Sequence, residues 1–218
     1  MALVPNSRFT NSPLTLKHSA QTQSSSTALN AASPENSFKA SYFRKSTQAT
    51  PNRRLKAIAS DSDGLSKPEA QLANQIQQYR RENGLPAIRL SKALTLVANR
   101  HVQDLVQSGS PNALHSWSDA PYDSSNPATY PSMWEAPQRL KTGYSGNGYE
   151  IAFWTSTNNA KPAQALAGWK NSPGHNTVIL NREVWQQPWK AMGVGIHNGY
   201  AVVWFGNQRD RSGQPTPS

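Results

Sequence analysis

The chain has 218 residues, 36% of them hydrophobic, with a formal charge of +10 and no cysteine. That length suits one domain with an extra segment, and the missing thiols exclude a disulfide framework, a thiolate metal site and a cysteine nucleophile. No apolar run approaches the ~20 residues that a membrane span needs.

The charge is unevenly placed. Residues 1–60 hold eight Lys or Arg against one acid, Glu35, so they carry +7 and the remainder only +3. Scattered charge of that size argues against a nucleic-acid partner. The same 60 residues hold 17 Ser or Thr, and they show no sustained apolar period. Such a segment buries too little surface to offset the entropy of ordering. Two readings compete for it: a disordered tail, or an organelle transit peptide that is Ser-rich, basic and poor in acid. The uncharged opening before Arg8 and the stretch "RRLKAIAS" point to plastid import, with a cytosolic or secreted protein as the alternative. The domain proper is then 61–218.

Order begins near Ser66. "SKPE" is a capping box, with Ser66 as cap, Pro68 in the first turn and Glu69 three residues on. Leu72, Ile76 and Tyr79 then share one helical face, and Gly84 with Pro86 stops the helix. A second helix opens at Ser91, lines one face with Leu94, Ala98, His101 and Leu105, and ends at Gly109. "EIAFW", 150 to 154, fits a short strand. "PAQALAGWKNS" fits a third helix with Ala165, Leu166 and Trp169 inward, followed by an apolar segment, Val178 to Leu180. The end reads as a hairpin: "AMGVGI", a tight turn at His197-Asn198-Gly199, then "YAVVWFG". The order helix, helix, strand, helix, hairpin makes an α+β domain.

Four histidines fall in this part. His101 lies on an apolar helix face, where a histidine is more often a packed, hydrogen-bonded core residue than a ligand. His197 sits in a solvated turn. His115, in "NALHSW", and His175, in "SPGH", stand at junctions between elements, where side chains reach pockets. Glu150 follows a glycine-rich loop and opens a strand. It can cap a neighbour, pair with Arg139, fix an imidazole tautomer or share a metal with histidines. The 35- and 25-residue gaps between His115, Glu150 and His175 match no compact metal motif, and there is no His-Glu-x-x-His. Gly143-Tyr144-Ser145-Gly146-Asn147 lacks the last glycine of a nucleophile elbow.

Taken together, "ANRHVQDL", "LHSW", "GYEIAF", "GWKNSPGHNTVIL" and "AMGVGI…AVVWFG" resemble the CAP superfamily, also called the SCP domain: cysteine-rich secretory proteins, antigen 5 and pathogenesis-related proteins of class 1. The likeness is to the cysteine-free bacterial type and runs from about residue 68 to 207. It implies an α-β-α sandwich with a central cleft presenting two histidines and two acids. His115, Glu150 and His175 match three of these positions, and the second acid falls near Ser172, a hydroxyl here. His175 is then expected at the end of the third helix, turned by Pro173-Gly174 to face His115.

The resemblance implies a non-catalytic binding module, for a small apolar or amphipathic ligand such as a sterol or lipid, or for a protein partner. Trp117, Trp134, Tyr144 and Trp154 flank the cleft residues in sequence and either line the cleft or fill the core. The alternative is a metal-dependent hydrolase or protease in which His115, His175 and Glu150 hold zinc and activate water. No cofactor is expected for the binding module.

Overall fold

In a computed structural model of the chain the structure describes residues 64–109 and 112–217. The expectations for residues 1–60 lie outside the described residues.

Helix α1 (Lys67–Glu82) starts at the expected capping box, with the Glu69 carboxylate accepting from the Ser66 backbone N–H at 2.7 Å. Helix α2 (Lys92–Ser108) is capped by the Ser91 hydroxyl, which accepts from the Leu94 N–H, and it ends at Gly109 in the left-handed conformation, φ 61°. Strands β1 (Tyr149–Trp154), β2 (Ala191–His197) and β3 (Tyr200–Gly206) form an antiparallel sheet in the order β1-β3-β2. The turn between β2 and β3 is the two residues Asn198 and Gly199, and Asn198 adopts φ 50°, which asparagine tolerates.

Side chains of a strand alternate between faces, and here each face has its own helical cover. Ile151, Met192, Val194, Ala201, Val203 and Phe205 pack with Leu72 and Ile76 of α1 and with two later helices, α5 (Pro162–Lys170) and α6 (Pro173–Ile179). On the other face Ala152, Ala191, Val202 and Trp204 meet Leu94, Val97, Ala98 and Leu105 of α2. The result is the expected α-β-α sandwich, with β3 buried along its whole length. Each fully buried Leu or Val contributes on the order of 1.5–3 kcal/mol.

One close approach sets the spacing of α2 above the sheet. A Cβ on Gly193 would lie 2.1 Å from the Leu94 carbonyl carbon, and one on Gly195 2.6 Å from that of Ala98. Only glycine lets the helix backbone sit directly on the strand.

Two features differ from the sequence reading. The stretch after α5, which the sequence marked only as an apolar segment, is a separate helix, α6. Proline lacks the N–H that a first helical residue has no use for, so Pro173 starts a helix, and Val178, Ile179 and Leu180 enter the core. No element was expected between 112 and 148, yet short helices form there, α3 (Pro131–Trp134) and α4 (Ala136–Arg139), after a single 3-10 turn at Pro127–Thr129.

Candidate functional site

Glu150 falls on the α2 face of β1, between Tyr149 and Ile151 of the opposite face, and its side chain is fully buried. Both carboxylate oxygens are taken by imidazoles. His101 Nδ1 lies 2.5 Å from Oε1 and His115 Nδ1 lies 2.8 Å from Oε2. The second ring nitrogen of His101, Nε2, faces the Ser116 carbonyl oxygen at 3.1 Å. A carbonyl oxygen only accepts, so Nε2 carries hydrogen; a carboxylate oxygen also accepts, so Nδ1 carries hydrogen too. With Glu150 ionised, both ring nitrogens of His101 donate and the residue is an imidazolium,. Its ring stacks on Trp117 at 4.3 Å and meets Trp204 edge-on at 6.0 Å.

Burial is the largest influence on both groups, and it disfavours each charge. The opposite charge and the shared hydrogen bonds outweigh it, so His101 is raised above its ordinary range and Glu150 is held below the usual carboxylate range. This is the behaviour of a paired buried charge rather than an isolated one.

His115 Nδ1 faces a Glu150 carboxylate oxygen, which accepts, so a neutral ring carries its hydrogen there and its lone pair on Nε2,. Its side chain is 27% exposed, and Nε2 has no hydrogen-bond partner among the described residues. The loop that carries it is fastened by reciprocal bonds between the Ser116 hydroxyl and the Tyr122 backbone, at 2.9 and 3.1 Å.

From His115 a row of rings leads away. Tyr122 lies 5.7 Å from the imidazole, Tyr130 5.5 Å from Tyr122, and Trp134 5.4 Å from Tyr130. Tyr149 is 6.3 Å from Trp134, and Trp185 is 5.2 Å from Tyr149. Tyr122, Trp134, Tyr149 and Trp185 are half-buried and Tyr130 is buried. Of the four rings singled out from the sequence, only Trp134 joins this row. Trp117 and Tyr144 are core residues, and Trp154 is 40% exposed at the end of β1.

The four sequence-derived site residues come together as two pairs, Glu150 with His115 and Ser172 with His175. His175 Nδ1 and the Ser172 hydroxyl are 2.8 Å apart. Ser172 is the cap of α6 and His175 lies in its first turn, not at the end of the preceding helix as expected. Sequence reasoning placed His101 in the core correctly but missed that its partner is Glu150. The available signal was physical: a titratable residue on the buried face of α2 needs a partner.

For zinc, the carboxylate is already engaged, while among the described residues His115 Nε2 is not. Both Glu150 oxygens serve imidazole nitrogens, and among the described residues no group of three or more His, Cys, Asp or Glu is arranged to hold a metal ion. A zinc bound directly by Glu150 would compete with those imidazoles for its oxygens, whereas one on His115 Nε2 would leave the Nδ1 contact to Glu150 in place,. A solvent-open groove of about 330 Å³ lies elsewhere, between α1 and α5, lined by Gln75, Ala163, Leu166 and Lys170. It carries none of this chemistry.

A family model described as "CAP: Cysteine-rich secretory protein family" matches residues 73–205. No curated protein matches the chain in sequence. Among solved structures, an extracellular SCP-domain protein from Bacillus anthracis str. Ames is similar at 20% identity and a TM-score of 0.49, over 75% of this chain and 45% of that one. A cysteine-rich secretory protein from Staphylococcus aureus subsp. aureus Mu50 is similar at 13% and 0.44, over 74% and 42%. An outer surface protein from Borrelia burgdorferi is similar at 16% and 0.46, over 64% and 92%. This chain thus spans less than half the length of the first two.

Proposed function

The chain belongs to the CAP, or cysteine-rich secretory protein, family, and from that premise we propose that it is a binding module for an amphipathic ligand of the sterol or lipid class. The ligand's hydroxyl donates to His115 Nε2, and its apolar body lies along the rings from Tyr122 to Trp185. The observation that carries this reading is a part-exposed imidazole, fixed as an acceptor by a buried carboxylate, at the head of a contiguous aromatic row. Ligand sites combine apolar lining with a few placed polar groups in this way.

The test is a tryptophan-fluorescence titration with a 3-hydroxysterol and its O-methyl ether, alongside a long-chain alcohol. The hydroxyl ligand is expected to bind below ~100 μM, or about −5.5 kcal/mol, and the ether about tenfold more weakly because it cannot donate. No binding below that concentration by any of the three overturns the reading.

A second reading, hydrolysis, has the His115–Glu150 pair in its favour: a carboxylate holding Nδ1–H leaves Nε2 as a general base toward water. Ester or peptide hydrolysis that disappears in His115→Ala, with and without added zinc, would replace the binding reading. For residues 1–60 the proposal is plastid import, supported by their basic, acid-poor composition,. A fluorescent protein fused behind them is expected inside plastids of plant cells, and cytosolic or secreted fluorescence refutes it.

A further inference from the structure

We propose that His101 is a positioning residue of this site: stacked on Trp117 and edge-on to Trp204, with a ring nitrogen on Glu150 and the other on the Ser116 carbonyl, it keeps Glu150 an acceptor and so turns the His115 lone pair outward. The inference rests on the reading above only in that the outward Nε2 is what a ligand meets.

The argument follows from three buried contacts. Glu150 has two oxygens and no route to solvent, so each oxygen needs a donor or the group gives up its charge. His101 supplies one donor and one positive charge in the same ring. The Ser116 carbonyl on its far side holds the ring in register and requires the second N–H. Asp104, on the same helix α2, is the other acidic group that bears on the ring, and it also favours the charged form. His101 meets the charge of Glu150 within the pair, and a neutral His115, facing the carboxylate through Nδ1, carries its single hydrogen there,.

Removing His101 reverses this assignment. Glu150 would then have His115 as its remaining imidazole partner. His115 would take up a second proton to balance the carboxylate, or Glu150 would become protonated and loosen its hold on His115 Nδ1. In the first case Nε2 becomes a donor; in the second the two tautomers of His115 mix. Either way the site ceases to present a fixed acceptor. A core residue with no contact to ligand thus decides the hydrogen-bond polarity of the exposed ring.

The experiment is nitrogen-15 NMR of the histidine rings in the full chain at neutral pH. In the unaltered protein His101 is expected to show two protonated ring nitrogens, and His115 one protonated Nδ1 and one bare Nε2. His101→Asn, whose side-chain amide can still donate to Glu150 but brings no charge, is expected to keep the His115 Nδ1–H on Glu150 and to add a proton at Nε2. His101→Leu is expected to give a doubly protonated His115 or a tautomer mixture. A bare nitrogen on His101 in the unaltered protein overturns the proposal, whether or not the variants fold. So does a His115 tautomer that is unchanged in folded His101→Leu. The ring assignment uses no ligand, so a failed sterol titration would sink the binding reading and leave this result standing.

Discussion

At the scale of single residues, Glu150 is the group on which the site turns. It is buried, ionised and bonded twice. Glu150→Gln keeps the shape but removes the charge, and its amide presents N–H groups where one imidazole N–H already points. Breaking a buried pair in this way costs about 3–5 kcal/mol, so urea unfolding of the variant should show a loss of roughly that size. The loss should depend on pH. Glu150 has a folded value below its ordinary 4.5, so its contribution is complete above 4.5 and is lost as pH falls through the folded value,. His101 has a folded value above its ordinary 6.5, so its contribution is complete below 6.5 and is lost as pH rises through the folded value,. The difference between the two proteins should therefore peak between pH 4.5 and 6.5 and shrink on either side. A difference that stays flat from well below pH 4.5 to well above pH 6.5 would show that the pair is not ionised,. Glu150 and His115 were legible in the sequence as polar residues at the ends of elements. The partnership of His101 was not, because which strand a helix residue meets across a sheet is decided by packing that no local pattern encodes.

At the scale of elements, two glycines make opposite predictions. Gly193 carries α2 directly on β2, and Gly193→Ala would drive a methyl group into the Leu94 backbone at 2.1 Å. Backbone cannot yield as a side chain can, so the cost should reach about 3 kcal/mol or more. Gly168 sits on the exposed side of α5, where a Cβ would meet the Phe153 ring at an ordinary 3.4 Å. Gly168→Ala removes the backbone entropy penalty of a helical glycine and should stabilise by up to ~1 kcal/mol. Denaturant midpoints of the two variants should move in opposite directions, and a tolerated Gly193→Ala would mean that α2 does not rest on the strand. The alternation of "AMGVGI" made β2 legible as a strand, but the reason for its glycines lies in the partner helix. The capping box, the αL glycine after α2 and the Asn-Gly turn were legible because each is a local demand on a few residues. The second helix at Pro173 followed from an equally local rule, proline at the first helical position, but Pro-Gly also reads as a break.

At the scale of the whole molecule, the segment after β3 closes the fold. The Asp210 carboxylate accepts from the Ser91 hydroxyl at 2.7 Å and from the Ala93 N–H at 2.9 Å, so it caps α2 from 117 residues away. Gly213 accepts from the Lys92 N–H, Thr216 accepts from the Leu65 N–H at 2.8 Å, and the Tyr144 hydroxyl bonds the Gln208 backbone in both directions. At the other end Glu69 caps α1 with one oxygen and takes the Ile196 N–H of β2 with the other, at 2.9 Å. Neither group of contacts lies within the family match over 73–205. A cap is worth about 1 kcal/mol and each further bond about the same, so a chain ending at residue 207 should lose roughly 3–4 kcal/mol. At about 2–4 °C per kcal/mol for a domain of this size, its melting point should fall by ~10 °C, and that of Asp210→Ala by about 3 °C. A fragment of residues 61–218 keeps every described element and both ties, so calorimetry should find it melting with the full chain. A fragment cut to 73–205 removes the start of α1 together with the closing segment and should not give a cooperative transition. If the 73–205 fragment melts like the 61–218 fragment, the closing contacts do no more than decorate a self-sufficient core.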